Sequence, residues 1–278
     1  MIKETINKNT DIADKVFKKL SIQVSLNGLS FCVTDSVSQK LLLADASRFN
    51  EEKTPMFIKG ELQKLFEKHA LTGMQFEEVI MVHSNTLFGL VPKSLFNPNQ
   101  LLEYLKFNTK VFPTDALSFD EVENQELVNV YVPYMNLNNY VYELFGAFTY
   151  MHNGTIILQS LLNNQTQEPD TVCYIHVALK QMDITVIEQR KLILYNSFNY
   201  ETKEDFVYYI LFVLEQLDLD PMYANVKLFG TIEEDGEIFK LCYTYIRNLS
   251  ICIPSSSQLM KLGENVSSSI DFTLANTL

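Results

Sequence analysis

The order of predicted strands and helices occurs twice along the chain, and this repeat restricts its fold more than any other feature. Alternation of apolar and polar residues predicts three strands within residues 20–44 and three more within residues 172–197. In both halves a helix with 3.6-residue periodicity and then a further strand follow, as a right-handed crossover requires. The order βββαβ therefore predicts an α/β protein with two lobes related by internal duplication, each with a mixed sheet and flanking helices.

Turn-forming residues set the expected boundaries within this plan. Asn27-Gly28 predicts a two-residue primed hairpin turn with positive φ at both positions. The run NNQTQEPD, residues 163–170, is polar and turn-forming, and it separates the halves into an expected first lobe, residues 1–168, and an expected second lobe, residues 169–278. The serine runs 255–257 and 267–269 are expected to lie in solvated ends.

Composition excludes several classes of function. The formal net charge is -12, from 34 acidic and 22 basic side chains, which argues against a nucleic-acid or anionic-membrane partner. No stretch approaches 18 uninterrupted apolar residues and the N-terminus is polar, so we expect a cytoplasmic protein that does not insert into membranes. The cysteines are scattered without CxxC spacing and are expected to be buried free thiols rather than metal ligands: Cys32, Cys173, Cys242 and Cys252.

The duplicated plan resembles the actin-like ATPase fold, a ribonuclease H-like fold shared by sugar kinases, heat-shock chaperones, actin and pilus-assembly ATPase-like proteins. Most specifically, the chain is similar to a bacterial family of unknown function, domain of unknown function 3822, with that fold. The resemblance covers about residues 15–254 and depends on topology more than on signature residues. It implies a nucleotide site between the lobes, whose three motifs can be compared position by position.

Two of these motifs are Asp-x-Gly hairpins that hold metal and phosphate in working members of the fold. The first corresponds to Gln23-Val24-Ser25 and the second to His176-Val177-Ala178. Neither Gln23 nor His176 offers the carboxylate oxygen that Mg²⁺ prefers. Ser25 and Ala178 each add a Cβ where a phosphate would need room.

The third motif is a Gly-Gly pair that lets adenosine lie across the backbone, and here it corresponds to Phe229-Gly230. Because all three motifs differ from those of the catalytic members of the fold, we expect neither ATP hydrolysis nor a required cofactor. The sequence favours a non-catalytic protein-interaction or assembly module. The alternative is a nucleotide-binding ATPase or kinase-like enzyme with a non-standard phosphate site, for example one using Thr231 and Asn85.

Other polar residues are interpreted as structural. His176 is expected to be a hydrogen-bonded histidine at the cleft, and His83 and His152 to be surface or cleft residues. Strand alternation places three carboxylates on solvated hairpin faces: Asp35, Asp183 and Glu188.

The predicted helix over residues 203–217 has more aromatic residues than one buried stripe requires. Tyr208, Tyr209 and Phe212 lie between its apolar positions. Two interpretations follow: deep burial between sheet and neighbouring helices, or an exposed patch that a protein partner covers. The sequence leaves both open.

Overall fold

The computed structural model describes residues 17–123, 125–163, 171–252 and 271–277. In the first half the main elements are β1 (Lys18–Val24), β2 (Gly28–Asp35), β3 (Leu41–Arg48), α1 (Pro55–Lys68), β4 (Glu78–His83), β5 (Phe88–Pro92), α2 (Leu101–Leu105), β6 (Ser118–Val122), β7 (Leu127–Tyr131), α3 (Met135–Phe145), β8 (Thr149–His152) and α4 (Asn153–Asn163). In the second half they are β9 (Val172–Val177), β10 (Gln181–Glu188), β11 (Lys191–Asn199), α5 (Lys203–Gln216), β12 (Asn225–Gly230), α6 (Glu237–Tyr245), β13 (Asn248–Ile251) and α7 (Phe272–Ala275).

Two five-stranded mixed sheets share one topology. Their strand orders are β3-β2-β1-β4-β8 and β11-β10-β9-β12-β13. In each sheet the first three strands are antiparallel, and the next two continue parallel to the first. The structure thus confirms the predicted duplicated, two-lobed α/β fold.

The crossover helices α1 and α5 begin at local capping signals. Thr54 accepts a hydrogen bond from the Phe57 backbone N–H, and Pro55 follows it in the first turn. Thr202 and Asp205 form a reciprocal capping box at the start of α5. Because these signals are local, they place the helix starts independently of the rest of the fold.

Each lobe has its own apolar core, and a third core joins them. In the first lobe α1 and α3 pack on β1, β2 and β4. In the second lobe α5 and α6 pack on β9, β10 and β12. The joining core brings apolar side chains of α4 together with Ile187, Tyr195 and Phe229 of the second sheet. The cleft between the lobes is therefore bounded by packed side chains.

A small third sheet, in the order β5-β7-β6, lies between β4 and α3 along the chain and packs against α2. Strand β6 was not predicted from the sequence, because its segment SFDEV has only two apolar residues.

The predicted Asn27-Gly28 primed turn is wrong in detail. The hairpin exists, but Val24 pairs with Leu29 and the Ser25 N–H donates to the Gly28 carbonyl, so Leu26 and Asn27 form the tip. Among the described residues, positive φ occurs at neither Asn27 nor Gly28. Gly28 is instead required by close packing, since a Cβ there would lie 3.0 Å from the Ser47 carbonyl oxygen on β3.

Several sequence-based expectations fall on residues outside the described ranges. The proposed boundary between residues 168 and 169 and most of the linker lie in 164–170, and both serine runs lie in 253–270.

The four cysteines are free, with Cys252 partly exposed and the others buried. Over the ranges given above, no helix is both long enough and apolar enough to cross a bilayer.

Candidate functional site

The two hairpins of the implied nucleotide site occupy equivalent places in the two lobes. Gln23 is the penultimate residue of β1, and His176 is the penultimate residue of β9. Gln23 pairs with Ser30 on β2, and His176 pairs with Asp183 at the same register of β10. The hairpin tips also match. The Ala178 N–H donates to the Gln181 carbonyl, and the Ser25 N–H donates to the Gly28 carbonyl.

Gln23 and His176 meet at Asp271, a residue that the sequence analysis did not identify. Gln23 Nε2 donates to Asp271 Oδ2 over 2.7 Å. His176 Nε2 lies 2.8 Å from Asp271 Oδ1. One carboxylate from the C-terminal segment is thereby held by both lobes at once.

The rest of this segment, residues 271–277, packs into the cleft behind Asp271. The Thr273 hydroxyl donates to Gln23 Oε1 over 2.7 Å. The Phe272 ring is buried and meets the Phe229 ring edge-on, with centroids 4.7 Å apart. Leu274 and Ala275 are fully buried in a cluster with Cys32 of β2. We call residues 271–277 the cleft segment.

His176 lies between two carboxylates, which fixes its protonation. Its Nδ1 atom is 3.0 Å from Asp183 Oδ2, while Nε2 faces Asp271. Burial alone would lower the pKa of His176, but Asp271 and Asp183 outweigh this and raise the pKa to about 10. Burial would raise the pKa of Asp271, yet His176 and the hydrogen bond from Gln23 hold it well below its usual range. The cleft therefore contains an imidazolium with both N–H groups donating to carboxylates.

Asp183 anchors this arrangement and corrects one prediction. The carboxylate is fully buried, whereas alternation predicted a solvated face. Strand β10 is buried on both faces, so alternation along it carries no information. The carboxylate accepts hydrogen bonds from four further side chains: Asn153, Gln181, Tyr195 and Ser197. The other two carboxylates, Asp35 and Glu188, lie at strand ends and are not buried.

The residues at the remaining motif positions make hydrogen bonds and packing contacts with their own hairpin or with neighbouring strands. The Ser25 hydroxyl donates to the Gly28 carbonyl and accepts from the Asn27 N–H within its own turn. Phe229 is 2% exposed and lies against the His176 ring, with centroids 5.2 Å apart. Gly230 has φ +96°, and a Cβ there would lie 2.4 Å from the Val177 carbonyl oxygen. The backbone conformation and close packing therefore require glycine at position 230.

A cavity of about 100 Å³ remains between the two hairpin tips, lined in part by Ser25, Arg48, Thr231 and Asp271. Pockets for drug-sized ligands occupy about 300–1,000 Å³. The space that remains between the tips is thus smaller than a typical ligand pocket.

Two histidines expected at the surface or cleft are fully buried, so the surface alternative is wrong for both. His83 Nε2 donates to Asn138 Oδ1 over 2.9 Å, and burial lowers its pKa to about 3. His152 Nε2 donates to the Asn85 carbonyl over 3.0 Å, and burial lowers its pKa to about 4. Both rings are therefore neutral and structural.

The two residues named for an alternative phosphate site, Asn85 and Thr231, do not both line the cavity between the hairpin tips. Asn85 is buried, and its side chain donates to the Val132 carbonyl and accepts from the Leu87 N–H. Thr231 lines the cavity, whereas Asn85 does not. Across the described ranges, no group of three or more His, Cys, Asp or Glu residues is arranged to hold a metal ion.

The aromatic helix α5 is buried on one face and exposed on the other. Its buried residues are Phe206, Val207, Ile210, Val213 and Leu214. Tyr208 is 61% exposed and Phe212 is 41% exposed, and their rings stack with centroids 6.1 Å apart. Tyr209 is partly buried and stacks on Phe198 of β11. Deep burial is thus wrong for Tyr208 and Phe212.

Sequence and structure comparisons relate this chain to known proteins. The family model described as "Protein of unknown function (DUF3822)" matches residues 7–249. The chain belongs to this family. A comparison with curated proteins finds no match.

Solved structures show the same fold. A Bacteroides thetaiotaomicron VPI-5482 protein, described as having an actin-like ATPase fold and unknown function, has a TM-score of 0.75 and 17% identity, with 96% of this chain and 98% of that chain covered. The PilM-PilN type IV pilus biogenesis complex contains a chain with a TM-score of 0.59 and 14% identity, with 92% of this chain and 97% of that chain covered. The protein has the actin-like ATPase fold.

The sequence contains one local signal for the cleft segment. Asp271 precedes the short run Phe-Thr-Leu-Ala, and an N-capping residue before an apolar run is typical of a helix start. This pattern could have predicted a short buried helix, but it could not have indicated where that helix docks.

Proposed function

We propose that this protein is a non-catalytic, cytoplasmic protein-interaction module whose nucleotide site has degenerated. The observation that carries the proposal is the cleft segment, which fills the space between the hairpins with the chain's own residues. Asp271 takes the hydrogen bonds of Gln23 and His176, and Phe272 covers Phe229. A catalytic relative would need this space for a phosphate tail.

The chemistry of the cleft supports the same proposal. An ATPase of this fold needs carboxylates that position a metal and activate water, and general-base catalysis contributes about 10²–10⁴ in rate. Positions 23 and 176 lack those carboxylates, and the two carboxylates beside them, Asp183 and Asp271, are both paired with His176. A cation at His176 would repel Mg²⁺ rather than bind it.

The partner surface that we propose is the outer face of α5. Glu204, Tyr208 and Phe212 are spaced four residues apart, so they lie on one face of the helix, opposite its buried face. Exposed stacked aromatic rings suit a protein contact, because they add large apolar area with little loss of side-chain freedom. A fold relative found in a PilM-PilN complex agrees with a role in assembly.

Titration with Mg-ATP tests the loss of nucleotide function. We expect no change in Tm and no phosphate release above background. A nucleotide at about a hundred times its Kd would add roughly 2.7 kcal/mol, which corresponds to a rise of about 5–10 °C for a chain of this size. A rise of that size, or hydrolysis, would support the alternative of a non-standard phosphate site.

Replacement of Tyr208 and Phe212 by serine tests the partner surface. The matched control is Tyr142→Ser with Phe57→Ser, because those side chains are 63% and 43% exposed on helices of the first lobe. We expect both double variants to fold, and only Y208S/F212S to lose a partner that co-purifies from the native host. Equal retention of that partner by both variants would place the contact elsewhere.

A further inference from the structure

The cleft segment identifies a binding site whose ligand is a carboxylate. Two N–H donors, Gln23 Nε2 and His176 Nε2, point at one carboxylate from opposite lobes, at 2.7 and 2.8 Å from different oxygens. Both donors come from equivalent strand positions of sheets with the same strand order, and both reach the same carboxylate. A flat group with two acceptor oxygens fits between them.

Each donor side chain has a further hydrogen-bond partner besides Asp271. His176 is 1% exposed, and its other ring nitrogen is fixed by the fully buried Asp183. The Gln23 side chain is fixed at its carbonyl end by the Thr273 hydroxyl, which leaves its NH₂ group to donate. His176 Nε2–H is a ring N–H donor whose other nitrogen is already engaged by Asp183, so a carboxylate at Nε2 receives a charge-assisted hydrogen bond.

The carboxylate position is reached from solvent. The side chain of Asp271 retains 18% of its surface exposed. Asp271 also lines the cavity of about 100 Å³ between the hairpin tips. A space of this volume is large enough for an anion the size of formate or acetate.

We propose that Gln23 and His176 form a carboxylate-binding site that Asp271 fills in cis and that an external carboxylate can occupy when the Asp271 carboxyl group is removed. In the intact protein Asp271 has the advantage of a tethered ligand, since a linked group acts at an effective concentration of millimolar or more. This inference uses the same cleft as the proposed function but does not depend on a protein partner.

Chemical rescue of Asp271→Ala tests the site. The substitution keeps Cβ and removes only the carboxyl group, so formate supplies the missing carboxylate atoms. We expect D271A to melt below the wild type in chloride, and formate at the same ionic strength to raise its Tm saturably by about 2–4 °C. The wild type should show no difference between the two salts.

Two comparisons make the test specific. Adding Gln23→Met removes one donor at similar volume, so the formate effect should shrink in D271A/Q23M. In Asp271→Gly, which also removes Cβ, acetate should act at least as well as formate. Together these results would locate the anion between the two donors.

Several outcomes would overturn the proposal. It fails if formate and chloride act alike on D271A, if formate raises the wild type equally, or if Q23M leaves the effect unchanged. Should D271A not accumulate as folded protein, the same comparison is made on refolding yield, and equal yields in formate and chloride would also overturn it. None of these outcomes depends on Mg-ATP binding, so the proposed function is tested separately.

Discussion

Replacing Asp271 by asparagine should lower the free energy of unfolding by an amount that depends on pH. Asparagine keeps the shape of the side chain and can still accept from Gln23, but it removes the negative charge next to His176. A hydrogen bond to a charged group is worth about 1.5–3 kcal/mol net, so we expect a loss of that size in the free energy of unfolding near neutral pH. His176 retains Asp183, which keeps the loss below that of a buried charge with no partner.

The pH dependence follows from the raised pKa of His176. This pKa is ordinarily 6.5 and is about 10 in the folded protein. The folded state therefore binds one more proton than the unfolded state between these values, and this contribution to stability is complete below pH 6.5 and is lost as the pH rises to about 10. Where a single proton is linked to unfolding, the slope is about 1.4 kcal/mol per pH unit.

In D271N the pKa of His176 should be lower, since only Asp183 remains beside it. The stability difference between wild type and D271N should then be largest near about pH 6 and shrink toward about pH 9.5. Urea denaturation followed by circular dichroism measures both proteins at each pH, with reductant present because the cysteines are free. Other titrating groups are common to both proteins and cancel in the difference.

A stability difference that stays constant from about pH 6 to about pH 9.5 would refute this account. It would mean that Asp271 does not stabilise the protonated form of His176. A difference that grows with pH would contradict the sign of the linkage directly.

The remaining predictions concern two glycines with opposite surroundings. Gly230→Ala should lower the free energy of unfolding by about 2–4 kcal/mol, because the backbone has φ +96° and the added Cβ would lie 2.4 Å from the Val177 carbonyl oxygen. Gly60→Ala, in the interior of α1 with no atom within 4 Å of the added Cβ, should instead stabilise by about 0.5–1 kcal/mol. Chemical denaturation measures both changes, and equal effects at the two sites would contradict the packing described here.

The sequence by itself determined the features that depend on neighbouring residues. Periodicity gave the two three-stranded hairpin sets, and the caps at Thr54 and Thr202 fixed where α1 and α5 begin. The resemblance to the actin-like ATPase fold also allowed positions 23 and 176 to be compared with the aspartates of its Asp-x-Gly motifs, because an equivalent place in a repeated hairpin can be counted along the chain. These inferences need no knowledge of what packs against each element.

Only the tertiary structure decided what the cleft contains. Asp271 is 248 residues from Gln23 and 95 residues from His176 along the chain, so no local pattern could join them. Alternation states which strand face a side chain is on, but not what covers that face. That is why Asp183 was expected in solvent and is fully buried beneath the second lobe's contact with α4. Gln23 and His176 acquire Asp271 as a shared partner only when the two lobes and the cleft segment pack together.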